Sequence, residues 1–338
     1  MAAEIHEQPA LWAARLADQS AVADVAARLR AAGPRFVLLA ARGTSDHAAL
    51  YAKYLVEVRH ALPAGLVSPS TMTAYGARPH LRDVLLVAVS QSGGSPDLVR
   101  TVEAGRAGGA LTLAVTNSPQ SPLAAAAELH LDVGAGPERA VAATKSYTAQ
   151  LLALYLLSEH WLGRGGEDAG RLPEWGRAVL AREGEVEGLA TRYRFAQRLV
   201  TTARGYAYAT AREAALKLME TSYLAAQAFS GADLLHGPLA MLDPLVPVLA
   251  VVPEGVGGEA MREALPRLRA ARADLLVVGH ARAAAEADAG FALPEGVAEA
   301  VSPLLQILPF QLLALHLAVA RGEDPDAPRG LRKVTQTL

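Results

Sequence analysis

The 338-residue chain contains no cysteine and few aromatic residues. The missing thiols exclude disulfides, thiolate zinc sites and cysteine nucleophiles, and nothing indicates an oxidising compartment. Aromatic residues make up 5 % of the chain against 51 % hydrophobic residues in all, so we expect an aliphatic core. We expect no secretion signal, because Glu4, His6 and Glu7 interrupt the stretch where its apolar segment would lie. The sequence therefore predicts a cytoplasmic protein.

The chain has neither a large net charge nor an apolar run of full membrane-spanning length. The 32 basic and 34 acidic residues give a net charge of -2 without a basic block, so we expect no binding to nucleic acid or to membranes. The longest apolar stretch, residues 304–320, is short for a bilayer span and contains Gln306, Pro309 and Gln311. It is predicted to be a buried core helix.

Short aliphatic runs alternate with helical patterns, which is typical of an α/β protein. In the first half, the predicted strands cover residues 36–40, 84–89, 111–115 and 129–133, and the predicted helices cover 11–29, 46–57, a stretch from Pro96, and 144–162. The second half is expected to restart at Gly205, with helices at 212–224 and 259–271 and strands at 247–252 and 275–279. This order predicts two tandem doubly wound, mostly parallel sheets with helices on both faces.

The two halves are predicted to be copies of one domain, each of about 150 residues. In each half, a glycine-containing loop and a helix separate two aliphatic strands that start about 27 residues apart, as in a βαβ unit. A glycine-rich stretch at 163–170 marks the break between them. We predict a phosphate-binding first domain at 1–165, a linker helix at 166–192 and a second domain at 193–338.

A loop rich in serine and glycine follows the predicted strand 84–89. Ser90, Ser92 and Ser95 offer hydroxyl groups, and Ser95 is predicted to cap a helix that begins at Pro96. A helix start attracts anions through its unpaired N–H groups, and glycine lets the backbone approach a phosphate closely. The loop is therefore a candidate phosphate cradle, with an ordinary capped turn as the alternative.

The matching loop of the second half, residues 253–258, lacks these serines, so only the first half is expected to hold phosphate. Gly255, Gly257 and Ala260 fit the spacing of a dinucleotide-binding fingerprint. The acidic residue expected at the end of the next strand is absent, because that strand is followed by His280. We therefore expect no dinucleotide.

Lysine is rare among the 32 basic residues, and the four lysines are Lys53, Lys145, Lys217 and Lys333. An amine can lose a proton or form a Schiff base, which a guanidinium does not do, so each lysine is a candidate for chemistry.

Glu213, Lys217 and Glu220 are spaced to share one face of the predicted helix 212–224. Their apolar neighbours indicate a buried helix, which favours a proton-transfer device over the alternative of a solvated salt-bridge stripe. His236 lies in a predicted turn before Gly237 and is a second acid-base candidate. The nine histidines show no metal-binding spacing, so we expect no metal.

Taken in order, these motifs resemble the family of proteins with two sugar isomerase (SIS) domains, which includes the isomerase half of glucosamine-6-phosphate synthase. The resemblance covers nearly the whole chain. It rests on residues 4–9, 43–47, 89–93, 135–138, 143–146, 213–220, 236–238 and 328–333. Gly94 and Arg332 depart from the family pattern, which has an acidic residue and a small residue at these positions.

The resemblance implies a six-carbon sugar phosphate as substrate, no cofactor, and a homodimer. It implies phosphate or substrate binding by Thr44, Ser45, Ser90, Gln91, Ser92, Ser95 and Val141. It further implies that Glu220 moves a proton between C1 and C2, that His236 assists ring opening in a neighbouring subunit, and that Lys333 reaches the sugar from the C-terminal tail. Lys217 and Glu213 match the pair that supports the glutamate.

The synthase also carries a glutaminase domain with a cysteine nucleophile, whereas this chain begins near the start of the isomerase half and contains no cysteine. We therefore expect a reaction that does not use glutamine, in which glucosamine 6-phosphate gives fructose 6-phosphate and ammonia. A galactosamine-6-phosphate deaminase, a deglycase of fructosamine 6-phosphates and a plain aldose-ketose isomerase are alternatives. A regulatory protein that senses a sugar phosphate is another, although the presence of Glu220, His236 and Lys333 favours an enzyme.

Overall fold

The computed structural model describes residues 1–333, which form two α/β repeats with additional helices. Two helices come first, α1 (Ala2–Ala17) and α2 (Ser20–Ala32). The first repeat contains β1 (Phe36–Ala40), α3 (Thr44–Arg59), β2 (Ala64–Leu66), α4 (Ser70–Thr73), β3 (Val84–Ser90), α5 (Pro96–Ala107), β4 (Leu111–Thr116), α6 (Pro122–Ala126), β5 (Leu129–Asp132) and α7 (Lys145–Trp161). Two further helices, α8 (Leu172–Leu180) and α9 (Glu183–Tyr193), follow it along the chain.

The second repeat follows the same succession of elements. It contains β6 (Arg198–Ala203), α10 (Ala207–Ser222), β7 (Ala225–Ser230), α11 (Gly231–Leu235), β8 (Pro247–Val252), α12 (Val256–Ala270), β9 (Asp274–Gly279), α13 (Ala281–Ala285), β10 (Ala289–Ala292) and α14 (Ser302–Ala320).

Each repeat forms a five-stranded parallel sheet, and the two sheets have the same topology. Their strand orders are β2-β1-β3-β4-β5 and β7-β6-β8-β9-β10. Leu85 pairs with Leu111 in the first sheet, and Val248 pairs with Leu275 in the second, so the two predicted βαβ units occupy equivalent places. The predicted α/β class, the parallel sheets and the duplication are confirmed.

Four strands were missed by the sequence analysis, namely β2, β6, β7 and β10. Three of them, β2, β7 and β10, lie at sheet edges, and β2 and β10 have only three and four residues, so none shows the continuous apolar run of a buried strand. β6 contains two fully buried threonines, Thr201 and Thr202. The Thr201 hydroxyl donates to the Ala211 carbonyl at 2.7 Å, which satisfies a polar group inside the core. The second repeat therefore begins at Arg198, before the predicted restart at Gly205.

Several predicted helices have different bounds in the structure, among them the single linker helix 166–192, which is divided into α8 and α9. The predicted helix 11–29 is divided between α1 and α2, because the Asp18 carboxylate accepts hydrogen bonds from the Ser20 N–H at 3.1 Å and the Ser20 hydroxyl at 2.7 Å. These bonds satisfy a helix start at Ser20. The predicted helix 212–224 is α10, which begins at Ala207 and ends before Tyr223, whose backbone is left-handed with φ of +54°.

The described residues divide into two compact units, each built from separate chain segments. The cradle unit comprises Ala10–Glu138, Lys145–Gly170 and the tail residues Arg332 and Lys333, whereas the α10 unit comprises Met1–Pro9, Arg139–Thr144 and Arg171–Leu331. Buried contacts bind the N-terminal segment into the α10 unit, including a 2.8 Å hydrogen bond from the Gln8 amide to the Gln311 amide oxygen. The contiguous boundaries 1–165, 166–192 and 193–338 stay a prediction.

The most apolar helix, α14, is long enough to cross a membrane, but 83 % of its apolar window is buried within the protein. Its polar side chains have buried partners. Gln306 donates to the Ser302 hydroxyl at 2.6 Å and accepts from Thr210 at 3.1 Å. A helix whose amides are satisfied inside the fold is a core helix, as the sequence predicts.

Candidate active site

The strand order of the first sheet creates a crevice at its carboxyl edge. β1 lies between β2 and β3, so the connections that leave β1 and β3 diverge at this point of the sheet. In open α/β sheets, ligands bind at such a switch point, outside the carboxyl ends of the strands. Thr44 and Ser45 begin the helix after β1, and Ser90 to Ser95 follow along the loop after β3. The fold therefore brings both groups of predicted phosphate-binding residues to one crevice.

The loop after β3 is shaped by its own hydroxyl groups. The Ser90 hydroxyl accepts from the Gly93 N–H at 3.1 Å, and the Ser92 hydroxyl accepts from the Gly94 N–H at 3.2 Å. Gly93 has a φ of +63°, and a Cβ at this position would lie 2.1 Å from the Ser121 hydroxyl oxygen. The turn therefore requires glycine at position 93.

Ser95 is the N-cap residue of α5 and Pro96 is its first helical residue, as predicted. The Ser95 hydroxyl oxygen accepts no capping hydrogen bond from the start of α5, and the hydroxyl proton can be donated to a ligand. On the other side of the crevice, the Ser45 hydroxyl accepts from the Gln150 amide at 3.0 Å, and both side chains are buried. Because a serine hydroxyl can accept and donate together, Ser45 keeps its proton for a phosphate oxygen.

An ion pair beside the cradle was missed by the sequence analysis. The Arg42 guanidinium, which follows β1, contacts the Asp97 carboxylate in the first turn of α5 at 2.7 Å. Asp97 is 1 % exposed, whereas the Arg42 side chain is 48 % exposed. The pair joins the two sides of the crevice and leaves a partly exposed cation there, which favours an anionic ligand.

Glu138 accepts several hydrogen bonds in the cradle unit. Its buried carboxylate accepts from the Gln91 amide at 2.5 Å, from the Ser146 hydroxyl at 2.6 Å and from the Ser146 N–H at 3.1 Å. The Lys333 amine donates to the same carboxylate at 3.0 Å. Glu138 thus binds the cradle loop, the start of α7 and the tail lysine together. Glu138 ends the motif at residues 135–138 and was not among the predicted site residues.

The α10 unit contains the predicted acid-base trio. Glu213 and Lys217 are fully buried, and the Glu220 side chain is 22 % exposed. The Lys217 amine lies 3.4 Å from the Glu213 carboxylate and 2.5 Å from the Glu220 carboxylate. The predicted buried helix and its shared face are confirmed. The Lys217 amine contacts both carboxylates, and Glu220 is the one with a partly exposed side chain, so it is the carboxylate of the trio that a ligand can reach.

His236 lies in the α10 unit at the end of α11, in a turn closed by a 3.0 Å bond from its N–H to the Asp233 carbonyl. Its side chain is exposed. His60 of the cradle unit is different, because burial and the neighbouring Arg59 lower the pKa of His60 to about 4. His60 is therefore neutral at physiological pH and unsuited to proton transfer there, whereas His236 is reachable.

Val141 belongs to the segment Arg139–Thr144 of the α10 unit and is partly buried. The predicted site residues are therefore divided between the units. The cradle unit contains Thr44, Ser45, Ser90, Gln91, Ser92, Ser95 and Lys333, and the α10 unit contains Val141, Glu213, Lys217, Glu220 and His236. Within residues 1–333, no group of three or more acidic or histidine side chains is arranged to hold a metal ion.

Both repeats of the chain are similar to known proteins. A family model for the SIS domain matches residues 32–159 and 193–321. Glutamine–fructose-6-phosphate aminotransferase (isomerizing) of Gloeobacter violaceus is 36 % identical over an alignment of 355 positions, which covers 98 % of this chain but only 58 % of that protein.

Solved structures share the fold over nearly the full length. The C-terminal domain of glucosamine-fructose-6-phosphate aminotransferase from Francisella tularensis is 26 % identical with a TM-score of 0.85, covering 96 % of this chain and 97 % of that one. Glucosamine-6-phosphate deaminase of Thermotoga maritima has the same fold, with a TM-score of 0.73 at 20 % identity over 94 % of this chain and 98 % of that one. Since the SIS model matches both repeats, the chain belongs to the SIS-domain family and contains two SIS domains.

Proposed function

We propose that this chain is an amino-sugar phosphate isomerase and deaminase that converts glucosamine 6-phosphate into fructose 6-phosphate and ammonia. The proposal rests on the environment of Glu220. Its side chain is partly exposed on a largely buried helix, and its carboxylate lies 2.5 Å from the buried amine of Lys217. A carboxylate fixed in this way can take a proton from one carbon and return it to the next. The Gloeobacter relative, named for fructose 6-phosphate, supports a hexose phosphate as the substrate.

The proposed reaction consumes one water molecule. His236 assists opening of the sugar ring, which exposes the C1 aldehyde. Glu220 then removes the proton from C2, which carries the amino group, and the electron pair forms a double bond between C1 and C2 while the C1 oxygen gains negative charge. Lys333 stabilises that oxygen as an ammonium donor. Return of the proton to C1 leaves a protonated imine at C2, and the C1 oxygen takes the extra proton of that imine to become a hydroxyl group. Water then hydrolyses the neutral imine to the ketose and ammonia.

The cradle residues hold the substrate phosphate in this proposal. The Ser95 hydroxyl has no capping bond, Ser45 has a proton to donate, and the partly exposed Arg42 adds positive charge. Hydrogen bonds to an ionised group contribute about 1.5–3 kcal/mol each, so a few of them suffice to fix a phosphate. The phosphate then serves as the handle that positions the reacting carbons.

The source of nitrogen separates this proposal from the activity in the relative's name. The chain has no cysteine and thus no thiol to attack glutamine, so we propose that it releases or takes up free ammonia. A deaminase for galactosamine 6-phosphate, a fructosamine-6-phosphate deglycase, a plain isomerase and a sugar-phosphate sensor are the alternatives. We place the protein in the cytoplasm, where hexose phosphates are found.

The test is incubation of the purified chain with amino-sugar phosphates and measurement of both products. With glucosamine 6-phosphate we expect ammonia and fructose 6-phosphate in equal amounts. Faster ammonia release from galactosamine 6-phosphate would make that epimer the preferred substrate. Release of an amine from fructosamine 6-phosphates would indicate the deglycase. Binding of sugar phosphates with no turnover of any of them would reject an enzyme in favour of a sensor. Glu220→Gln protein, purified identically, controls for contaminating activity.

We also propose that the enzyme is a homodimer in which His236 serves the partner's site. Two inactive variants, Glu220→Gln and His236→Ala, are to be unfolded and refolded together. Half of the resulting dimers combine both chains, and each has one site with both groups intact, so about a quarter of the native activity should return. Mixtures that exchange subunits and recover no activity would place His236 in its own chain's site or outside the reaction.

A further inference from the structure

The second repeat contains a counterpart of the phosphate crevice. β6 lies between β7 and β8, so the connections after β6 and β8 diverge as they do after β1 and β3. The same three residues, Ala-Arg-Gly, occur at this point in both repeats, ending in Gly43 and Gly205. Both glycines are left-handed, with φ of +54° and +60°. The two crevices therefore share this glycine and its positive φ.

In the second repeat this crevice is filled by the carboxylate of Glu299, from the connection between β10 and α14. Its two oxygens accept from the first N–H groups of α12, those of Val256 at 2.9 Å and Gly257 at 2.8 Å. A Cβ on Gly205 would lie 3.6 Å from one carboxylate oxygen, and a Cβ on Gly255 would lie 2.3 Å from the other. Glu299 thus lies against the loops that follow both β6 and β8.

The crevice of the first repeat is open by the same measure. Among the described residues, a Cβ on Gly43 would meet no atom within 4 Å, although Gly43 corresponds to Gly205. The connection before α7 also provides a carboxylate, Glu138, but this group is bound by Gln91, Ser146 and Lys333 side chains. The cradle of the first repeat is therefore left for an external anion.

We infer that Glu299 is a built-in anion that occupies, in the second repeat, the place of the substrate phosphate in the first, and so limits each chain to one sugar phosphate. The inference rests on the proposed phosphate binding by the cradle. Negative charge at a helix N-terminus is favourable, and the tethered carboxylate supplies it without loss of a free ligand's motion. A phosphate would have to displace a group of like charge whose local concentration is in the millimolar range or above. Removal of the Glu299 carboxylate should therefore uncover a latent site for inorganic phosphate.

The experiment counts bound phosphate by equilibrium dialysis of the full chain against radiolabelled inorganic phosphate. The parent should bind one phosphate per chain, and Glu299→Ala should bind two. The matched control is Glu295→Ala, which removes the same charge from an exposed position of the same connection and should leave the count at one. A Ser92→Ala, Ser95→Ala background weakens the cradle, so there the second site should appear alone when Glu299→Ala is added.

The counts separate this inference from the proposed function. If the cradle binds no phosphate, the parent count is zero, but Glu299→Ala should still gain one ion. If Glu299→Ala does not fold, Glu299→Gln keeps one acceptor oxygen within reach of the start of α12 without the negative charge, and it should also gain phosphate. An unchanged count in the folded variant, with no rise of its Tm on addition of phosphate at constant ionic strength, overturns the inference.

Discussion

Replacement of Glu220 by glutamine should lower turnover of glucosamine 6-phosphate by about a thousandfold, because a positioned acid-base group contributes about 10²- to 10⁴-fold. The amide has the same shape and can accept from the Lys217 amine, but it cannot take the C2 proton. Lys217 also keeps Glu213 at 3.4 Å, so the buried amine is not left uncompensated. The Tm should therefore change little while the chemistry is lost.

Steady-state kinetics and thermal unfolding of Glu220→Gln test this expectation together. The exposed Glu187→Gln makes the same chemical change on α9 and should retain parental turnover. A third measurement is exchange of the C2 hydrogen into deuterated water, which reports proton removal even when later steps are slow. Turnover within threefold of the parent, with exchange intact, would show that Glu220 only compensates the buried lysine.

Replacement of Lys333 by arginine should cut turnover by roughly a hundredfold, the loss expected for one electrostatic or acid-base group. A guanidinium keeps the charge, but it is larger and planar. It cannot contact both the Glu138 carboxylate and the C1 oxygen in the way that the compact ammonium of lysine does. Lys333 is 26 % exposed and lies at the end of the described chain, so unfolding stability should stay within about 0.5 kcal/mol of the parent. Phosphate affinity should change much less than turnover.

The contact with Glu138 sharpens this test. Glu138→Gln leaves Lys333 in place but removes the buried negative charge that binds its amine at 3.0 Å, so turnover should fall in the same direction by about tenfold, as for loss of a charge-assisted hydrogen bond. Arg332→Lys conserves the charge at the adjacent exposed position and should leave turnover unchanged. If Lys333→Arg has the turnover and the stability of the parent, the tail is a surface segment and Lys333 takes no part in the reaction.

The elements with strong local patterns could be predicted from the sequence. β3 and β8 are buried almost throughout, and such strands consist of continuous apolar runs. The short edge strand β2 and the threonine-containing β6 lack that signal, and only pairing with their neighbours defines them. The start of α5 was predictable because Ser95 and Pro96 are local cap signals, whereas the break between α1 and α2 depends on the Asp18 and Ser20 contacts.

Two features of the candidate site followed from the sequence alone, the serine-rich loop and the trio Glu213, Lys217 and Glu220, because both consist of neighbours within one turn or a few turns of helix. The tertiary structure decided the contacts that complete them. Arg42 and Asp97 are separated by 55 positions, Glu299 and Val256 by 43, and Glu138 and Lys333 by 195. No local period connects residues so far apart, because such contacts arise only when strands pair and helices pack. The sequence determined which groups each repeat offers, and packing decided which carboxylate lies in a crevice and which one holds the tail.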